Sequence, residues 1–301
     1  MGQDTKRGMK EQNCLDLVKR GFFWSDNMPC EDPFGHRTIL NATDDEFKGL
    51  WHWLVNHECY KSCFGLLEDD RFEIASILRT AKPNERLSEF PDFIFRKGFI
   101  EHFQVTSSKI TRKGAEHKKD EQAFQSAVQK EQEAVREQWE HEMECNTLRS
   151  ASWTFEYGAH SYEDLKKSFQ NSWEKHLQSL EKYNGAKEIG IFMIEYGESA
   201  LGMTECVYTD WINGMSQGDM RKQEDFKNYR LSRDKKILNY IYQFKDKIRY
   251  VIYVYRDGFE IIRTDNIPYL LKLMPWNYMI YPMIVQERQT MSCIRWGMKD
   301  E

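Results

Sequence analysis

Residues 90–108 read FPDFIFRKGFIEHFQVTSS and decide the fold, because two apolar, β-prone runs flank a short Arg-Lys-Gly segment. Such runs on either side of a glycine-containing turn predict a β-hairpin. If the turn has two residues, Phe95 pairs with Gly98, and Asp92 lies opposite Glu101. A three-residue turn would instead put the two carboxylates on opposite faces, with Asp92 at a strand end and Glu101 in solvent.

The opposition of Asp92 and Glu101 has a chemical consequence. Directly opposed side chains on an antiparallel pair have Cβ atoms about 4.5–5.5 Å apart. Two carboxylates at that separation repel each other, and an apolar environment makes it costlier to keep both ionised. A divalent cation between them removes the repulsion, and magnesium is commonly held by one or two carboxylates together with water and substrate phosphate. The hairpin therefore predicts a site for Mg²⁺ or Mn²⁺.

The segment before the hairpin, residues 1–84, is predicted to be a mainly helical N-terminal region. One helix is expected to begin after Thr43, which can cap it, and a second to cover RFEIASILRTA at 71–81. The stretch WHWLVNHECYKSC contains His52, His57, Cys59 and Cys63. A zinc site is one interpretation of it, but no second Cys/His pair with finger-like spacing follows, so we favour ordinary helix residues.

After the hairpin, helix and strand patterns alternate. Residues 115–145 are rich in Glu, Lys and Gln, which predicts a long charged helix inserted into the domain. Residues 161–183 have an apolar stripe at helical spacing with Ser161 as N-cap, and IGIFMIEY at 189–196 is typical of a strand covered on both faces. Two further elements are expected, a helix capped by Ser232 and a hairpin around Asp257 and Gly258.

Composition limits the class of protein. The 301 residues are 40% apolar and 14% aromatic, which is typical of a globular chain. The net charge of −5 argues against a protein that coats nucleic acid through bulk positive charge, but it allows a local basic groove. We expect a cytoplasmic protein with reduced cysteines and no membrane association, because neither a secretory signal nor an apolar run of about 18 residues is found.

A family resemblance adds to this interpretation. Pro91-Asp92 opening one strand and Glu101 on the next resemble the motif of the PD-(D/E)xK nuclease superfamily, and the order of elements is similar. The resemblance implies an α/β, restriction-endonuclease-like mixed sheet flanked by helices, which we assign to residues 85–301. It also implies a metal-dependent nuclease that hydrolyses phosphodiester bonds in nucleic acid, with DNA as the expected partner and Mg²⁺ or Mn²⁺ as cofactor.

The resemblance also implies site residues. Asp92 and Glu101 take the positions of the two acids that hold the metal and serve catalysis, but Phe103 stands where the family has a lysine that orients the attacking water. The candidates for the missing group are Gln104, Lys109 and Lys166, and the extra metal-shell glutamate of some members corresponds to Glu85 or Glu89.

The most basic local run, SSKITRKGAEHKK at 107–119, directly follows the Glu-bearing strand. Its hydroxyls and cations can hold a nucleic-acid backbone without reading its sequence. The predicted phosphate contacts are Ser107, Ser108, Lys109, Arg112, Lys113, Lys118 and Lys119. A homodimer is also expected, since nucleases that cut two strands often pair.

Two other interpretations use the same residues. A catalytically inactive nuclease-like fold, serving as a binding or protein-interaction module, is favoured by Phe103 and by the acidic net charge, with the charged helix as partner surface. A hydrolase of the Ser or Cys type is less consistent with the sequence, because no Gly-x-Ser-x-Gly elbow appears. Its candidate residues, which lie close in sequence, are His102, Ser107, Ser108 and His117.

Overall fold

The computed structural model describes residues 4–26, 63–64, 68–85, 89–111, 114–142, 144, 146–206, 225–256, 258–273 and 277–296. The helix expected after Thr43 lies outside these residues, as do His52, His57 and Cys59.

The first half of the described chain contains α1 (Asp4–Asp26), β1 (Cys63–Phe64), α2 (Glu68–Thr80), β2 (Lys82–Pro83), β3 (Phe93–Phe95), β4 (Gly98–Gln104), β5 (Ile110–Thr111), β6 (Gly114–Ala115), α3 (Glu116–Glu142) and β7 (Thr147–Glu156). The second half contains α4 (Tyr162–Lys182), β8 (Ile189–Tyr196), β9 (Leu201–Cys206), β10 (Asp225–Phe226), α5 (Lys235–Tyr242), β11 (Tyr250–Tyr255), β12 (Gly258–Arg263), α6 (Ile267–Leu273), β13 (Asn277–Pro282) and β14 (Gln286–Arg295). Of two 3₁₀ turns, Leu231–Arg233 precedes α5 and Thr264–Asn266 follows β12.

Seven of the described strands form one mixed sheet, in the order β1-β12-β11-β8-β4-β3-β2. The central strands β4, β8 and β11 run parallel to one another. β2, β3 and β4 form an antiparallel meander at one edge. The predicted mixed sheet in an α/β fold is therefore confirmed.

Outside this sheet, β9 pairs with β10 and β13, and β7 and β14 form a ribbon ten residues long.

Helices cover both faces of this sheet. On one face, Trp173 of α4 packs edge-on against Phe192 of β8, in the core that also contains Phe99 of β4. On the other face, Leu15 of α1 and Ile74 of α2 share a core with Ile100 of β4. These side chains are fully buried, and burial of a Leu, Ile or Phe contributes about 1.5–3 kcal/mol each. Successive residues of β4 thus alternate between two cores, which fixes the face on which each polar residue of that strand lies.

Several local predictions are confirmed. Ser161 is the N-cap of α4, and its hydroxyl oxygen accepts from the Asp164 N–H at 3.1 Å. The continuous apolar run at 189–196 is β8, which lies between two parallel neighbours. The long charged helix is α3, in which His117, Val128 and Trp139 are the buried residues among those described.

The predicted cap at Ser232 is wrong, because α5 begins three residues later, at Lys235. Its N-cap is Asp234, whose carboxylate accepts from the N–H groups of Lys236 and Ile237. Ser232 lies in the preceding 3₁₀ turn and donates its hydroxyl to buried Glu260 at 2.7 Å. The buried carboxylate needs that donor, so the serine is committed to the core and the aspartate caps the helix.

The decisive hairpin has the two-residue turn, since Phe95 pairs with Gly98. Glycine is required at 98 because β4 begins against the start of β8, where a Cβ at this position would lie 1.9 Å from the carbonyl oxygen of Ile189. The β11–β12 hairpin is likewise confirmed, with Tyr255 paired to Gly258.

Candidate active site

The β3–β4 hairpin brings Asp92 and Glu101 together. Phe93 pairs with Ile100, so the next pair outward is Asp92 with Glu101. Two hydrogen bonds cross between the chain segments: the N–H of Asp92 donates to Glu101 Oε2 at 3.0 Å, and the N–H of His102 donates to Asp92 Oδ2 at 2.8 Å. Each carboxylate is therefore held by the backbone of the opposite segment, which fixes the relative position of the two acids.

The proximity of the two acids changes the ionisation of Asp92. Burial and the neighbouring Glu101 raise the pKa of Asp92 from 3.8 to about 7, although the hydrogen bond from His102 acts in the opposite direction. Asp92 is therefore protonated in a large fraction of molecules at neutral pH. The unfavourable state is the doubly ionised pair, and positive charge placed beside the pair would stabilise it.

A histidine from α4 contacts the second acid. His176 Nδ1 lies 2.6 Å from Glu101 Oε1, and Glu101 is 6% exposed. Burial lowers the pKa of His176 to about 4, so its ring is neutral at pH 7. Since an ionised carboxylate only accepts hydrogen bonds, we place the ring proton on Nδ1, which leaves the lone pair on Nε2.

Phe103, at the position where the resemblance expects lysine, faces the same core. Its ring stacks on that of His176, with centroids 4.7 Å apart and an interplanar angle of 13°. Phe103 is 5% exposed and also contacts Phe192 edge-on. The imidazole of His176 therefore covers the position that the lysine side chain would occupy.

The three candidates for the missing lysine lie elsewhere. Gln104 is on the opposite face of β4, where its amide donates to Glu195 at 2.6 Å. Lys166 is ten residues before His176 on α4, about 15 Å along the helix axis. Lys109 is exposed beyond the end of β4. The fold does not bring these three side chains to Asp92 and Glu101.

The predicted metal-shell glutamates, Glu85 and Glu89, are both exposed. Asn84, the residue before Glu85, is anchored beside the site by two hydrogen bonds. Its backbone N–H donates to the carbonyl oxygen of Asp92 at 2.8 Å, and its side-chain amide donates to the carbonyl oxygen of Pro91 at 2.9 Å. The backbone of Glu85 therefore lies close to Asp92, although its side chain is exposed.

The predicted phosphate contacts divide into three groups. Ser107 and Ser108 are 0% and 2% exposed, so their hydroxyls face the interior. Lys118, at the start of α3, is exposed and its Nζ donates to Gln104 Oε1 at 3.0 Å. In the third group, Lys109 is exposed and Lys119 is half-buried. Arg112 and Lys113 lie outside the described residues.

The buried serines belong to a polar network that the sequence did not reveal. Ser107 Oγ lies 2.9 Å from His160 Nδ1, 2.8 Å from the Tyr196 hydroxyl and 2.9 Å from Glu198 Oε2. Ser108 Oγ lies 2.8 Å from Nδ1 of His117. The sequence had grouped Ser107, Ser108 and His117 only as neighbouring hydrolase candidates, and no sequence signal linked them to His160, Tyr196 or Glu198.

Glu198 is the centre of this network. Burial alone would raise its pKa, but hydrogen bonds from His160, Thr106 and the Ser107 N–H outweigh burial, and the pKa of Glu198 is lowered. Its second oxygen lies 3.2 Å from His117 Nε2. An ionised carboxylate thus holds several donors in place, at positions fixed by β4, α3 and β8.

A cavity of 560 Å³ opens beyond the carboxyl ends of the parallel strands β4 and β8. Ligands in open α/β sheets commonly bind at such a place. The residues that border it include Gln104 of β4, Glu195 of β8, Glu198 just after β8, His160 just before α4, and His117, Lys118 and Glu121 of α3.

The chain matches no family model, no curated protein and no solved structure. None of the helices in the described part of the chain has both the length and the apolar character needed to cross a membrane.

Proposed function

We propose that this protein is a metal-dependent nuclease that hydrolyses phosphodiester bonds in nucleic acid, with DNA as the favoured substrate. The observation that carries the proposal is the opposition of Asp92 and Glu101 across the β3–β4 hairpin. Their unfavourable double ionisation fits a divalent cation, because the raised pKa of Asp92 reflects a local excess of negative charge and burial. Mg²⁺ or Mn²⁺ is the expected ion, since both acids offer hard oxygen ligands.

The order of elements supports the same proposal. A helix, α2, precedes a three-stranded meander that bears one acid on each of two adjacent segments. α4 then crosses over to β8, which lies parallel to the Glu-bearing strand. This is the order that the resemblance to the PD-(D/E)xK superfamily implies.

The side chains around the two acids suggest how the site works. Asp92 and Glu101 would hold the ion, which when bound polarises the scissile phosphate and lowers the pKa of a coordinated water. His176 orients the Glu101 carboxylate through its Nδ1–H, as carboxylate–histidine pairs do in metal sites. Its neutral ring stands over Phe103 where the family has lysine, so we assign to His176 the positioning role of that residue.

Exposed lysines beyond the end of β4 can hold the more distant part of the substrate backbone. Lys118 contacts Gln104, which lies on the opposite face of β4 from Glu101 and three residues from it, about 10 Å along the strand. Lys109 lies exposed between that strand and α3. Phosphate contacts from these lysines would position a strand without reading its sequence.

The direct test is an assay with plasmid, single-stranded DNA and RNA in Mg²⁺, Mn²⁺ or EDTA. Asp92→Asn and Glu101→Gln should each lower metal-dependent cleavage at least about 100-fold, since even residues behind the ligands change metal-site activity about 10–100-fold. Asp246→Asn, at an exposed turn, is the matched control and should leave cleavage unchanged. Cleavage that persists in both site variants, or that is absent in every metal, contradicts the proposal.

A second candidate function is favoured by one observation, the stacking of Phe103 on His176 in place of an amine. In that case the chain keeps the nuclease-like architecture as a catalytically inactive binding or interaction module. Calorimetric titration with Mn²⁺ distinguishes the two. An inactive module gives the same heat in wild type and Asp92→Asn, whereas the nuclease loses its Mn²⁺ site in the variant.

A further inference from the structure

Three metal-ligating side chains converge on the face of the sheet opposite Glu101. They are Cys14 of α1, His102 of β4 and Glu195 of β8, and one donor atom from each lies within 4.8 Å of the others. His102 Nε2 and Glu195 Oε2 are 3.0 Å apart. Because His102 directly follows Glu101 on β4, strand alternation turns it away from α4 and towards α1.

We propose that Cys14, His102 and Glu195 form a binding site for a divalent transition-metal ion of the Zn²⁺ class, distinct from the magnesium site of the proposed function. The donor set is one thiol sulfur, one imidazole nitrogen and one carboxylate oxygen, which suits Zn²⁺ and not Mg²⁺. Zinc–ligand distances of about 2.0–2.3 Å place donors about 3.3–3.7 Å apart in a tetrahedron. The His102 Nε2–Glu195 Oε2 separation of 3.0 Å must widen by about 0.3 Å, and the separations to Cys14, which reach at most 4.8 Å, must contract by at most about 1.3 Å.

Burial and supporting hydrogen bonds indicate a prepared site. Cys14 is a free thiol, 6% exposed, and His102 is 8% exposed. Gln104 donates to Glu195 Oε2 at 2.6 Å, and Lys118 in turn donates to Gln104 at 3.0 Å. Such outer hydrogen bonds fix the orientation of a ligating carboxylate. The three ligands come from two strands and one helix of the same core, so their positions do not depend on a loop.

The site has three protein ligands and therefore leaves a fourth position for a small molecule. The ligand that is most exposed is Glu195, at 21% of its side chain, and it borders the 560 Å³ cavity at the carboxyl ends of β4 and β8. Three ligands with an open position are typical of catalytic zinc sites, whereas structural sites have four protein ligands. We assign the open position to the cavity side, where a water or an anionic group can bind.

Metal content and a cobalt spectrum test the proposal. The chain, purified without a histidine tag and stripped with chelator, should take up one Zn²⁺ at this site. Co²⁺ added as the probe should give a thiolate-to-cobalt charge-transfer band together with the visible bands of tetrahedral cobalt. Cys14→Ser should abolish the charge-transfer band and weaken binding more than about 100-fold, and Gln104→Ala should weaken binding about 10–100-fold.

The controls exclude the other cysteines and the magnesium site. Cys293→Ser, on β14, and Cys59→Ser, in the Cys/His-rich stretch, should leave the charge-transfer band unchanged. Asp92→Asn should also leave it unchanged, which separates this proposal from the nuclease proposal. Absence of the charge-transfer band in the wild type overturns the inference, and this result does not depend on the folding of any variant. Survival of the band in Cys14→Ser also overturns it.

Discussion

Glu101 and His176, 75 residues apart in the chain, are joined by a contact of 2.6 Å between Oε1 and Nδ1 in the interior beneath α4. This contact connects the acid of the central strand to the crossover helix. It also holds the imidazole over Phe103, so one histidine both contacts a buried carboxylate and covers the phenyl ring that stands where a lysine was expected.

His176→Ala should destabilise the fold and impair the site. Glu101 would lose a buried donor, and an unsatisfied buried group costs about 1–3 kcal/mol, more when it is charged. Urea denaturation at pH 7 measures this loss. A double-mutant cycle with Glu101→Gln should give a coupling energy of about 0.5–3 kcal/mol, whereas additive effects would show that the contact is energetically irrelevant.

The free energy of unfolding should respond to pH through Asp92. Its pKa is about 7 in the folded protein and 3.8 as the reference value, so the folded state holds a proton that the unfolded state releases. This contribution is fully present below about pH 4 and is lost as the pH rises towards 7. In EDTA, Asp92→Asn should therefore gain about 2–4 kcal/mol relative to wild type between pH 4 and 8. A difference that is constant with pH would contradict the raised pKa.

Phe103→Lys should destabilise the protein without increasing nuclease activity. The position is 5% exposed and enclosed by the rings of His176 and Phe192, so an ammonium group there loses its hydration. Phe103→Leu is the matched control and should cost less, since it keeps the position apolar. Thermal unfolding and the plasmid assay, run together on both variants, measure the two effects. Higher activity of the lysine variant would show that the site retains the family geometry.

Glu198→Gln should disrupt the network at the carboxyl end of the sheet. A glutamine amide has one acceptor atom where the carboxylate has two, so the contacts of Glu198 with the Ser107 N–H and with His117 Nε2 cannot both be kept unchanged. The expected cost is about 1–3 kcal/mol at pH 7, measured by urea denaturation. Because the pKa of Glu198 is lowered in the folded state, its ionised form stabilises the fold above pH 4.5, and the wild type should lose this stabilisation as the pH falls below that value. The free energies of unfolding of wild type and Glu198→Gln should therefore converge at low pH.

Much of the secondary structure was predictable from the sequence, and the register of the β3–β4 hairpin was one of two alternatives, of which the structure has the two-residue turn. Apolar runs of strand length specify β8 and the β11–β12 hairpin, and the two-residue turn fixes the register that puts Asp92 opposite Glu101. Ser161 marks the start of α4. These features are local, since periodicity, turn length and capping act over a few residues. The failed prediction at Ser232 had a non-local cause, its hydrogen bond to buried Glu260.

The sequence by itself determined that the two acids lie on adjacent segments of a hairpin, because the turn and the flanking strands are local features, and it left two turn lengths open. The tertiary structure alone decided what surrounds the two acids. His176 reaches Glu101 only because α4 crosses over the sheet, and Cys14 meets Glu195 only because α1 packs on the other face. Contacts between residues far apart in the chain depend on how the elements pack, and neither periodicity nor spacing encodes that packing.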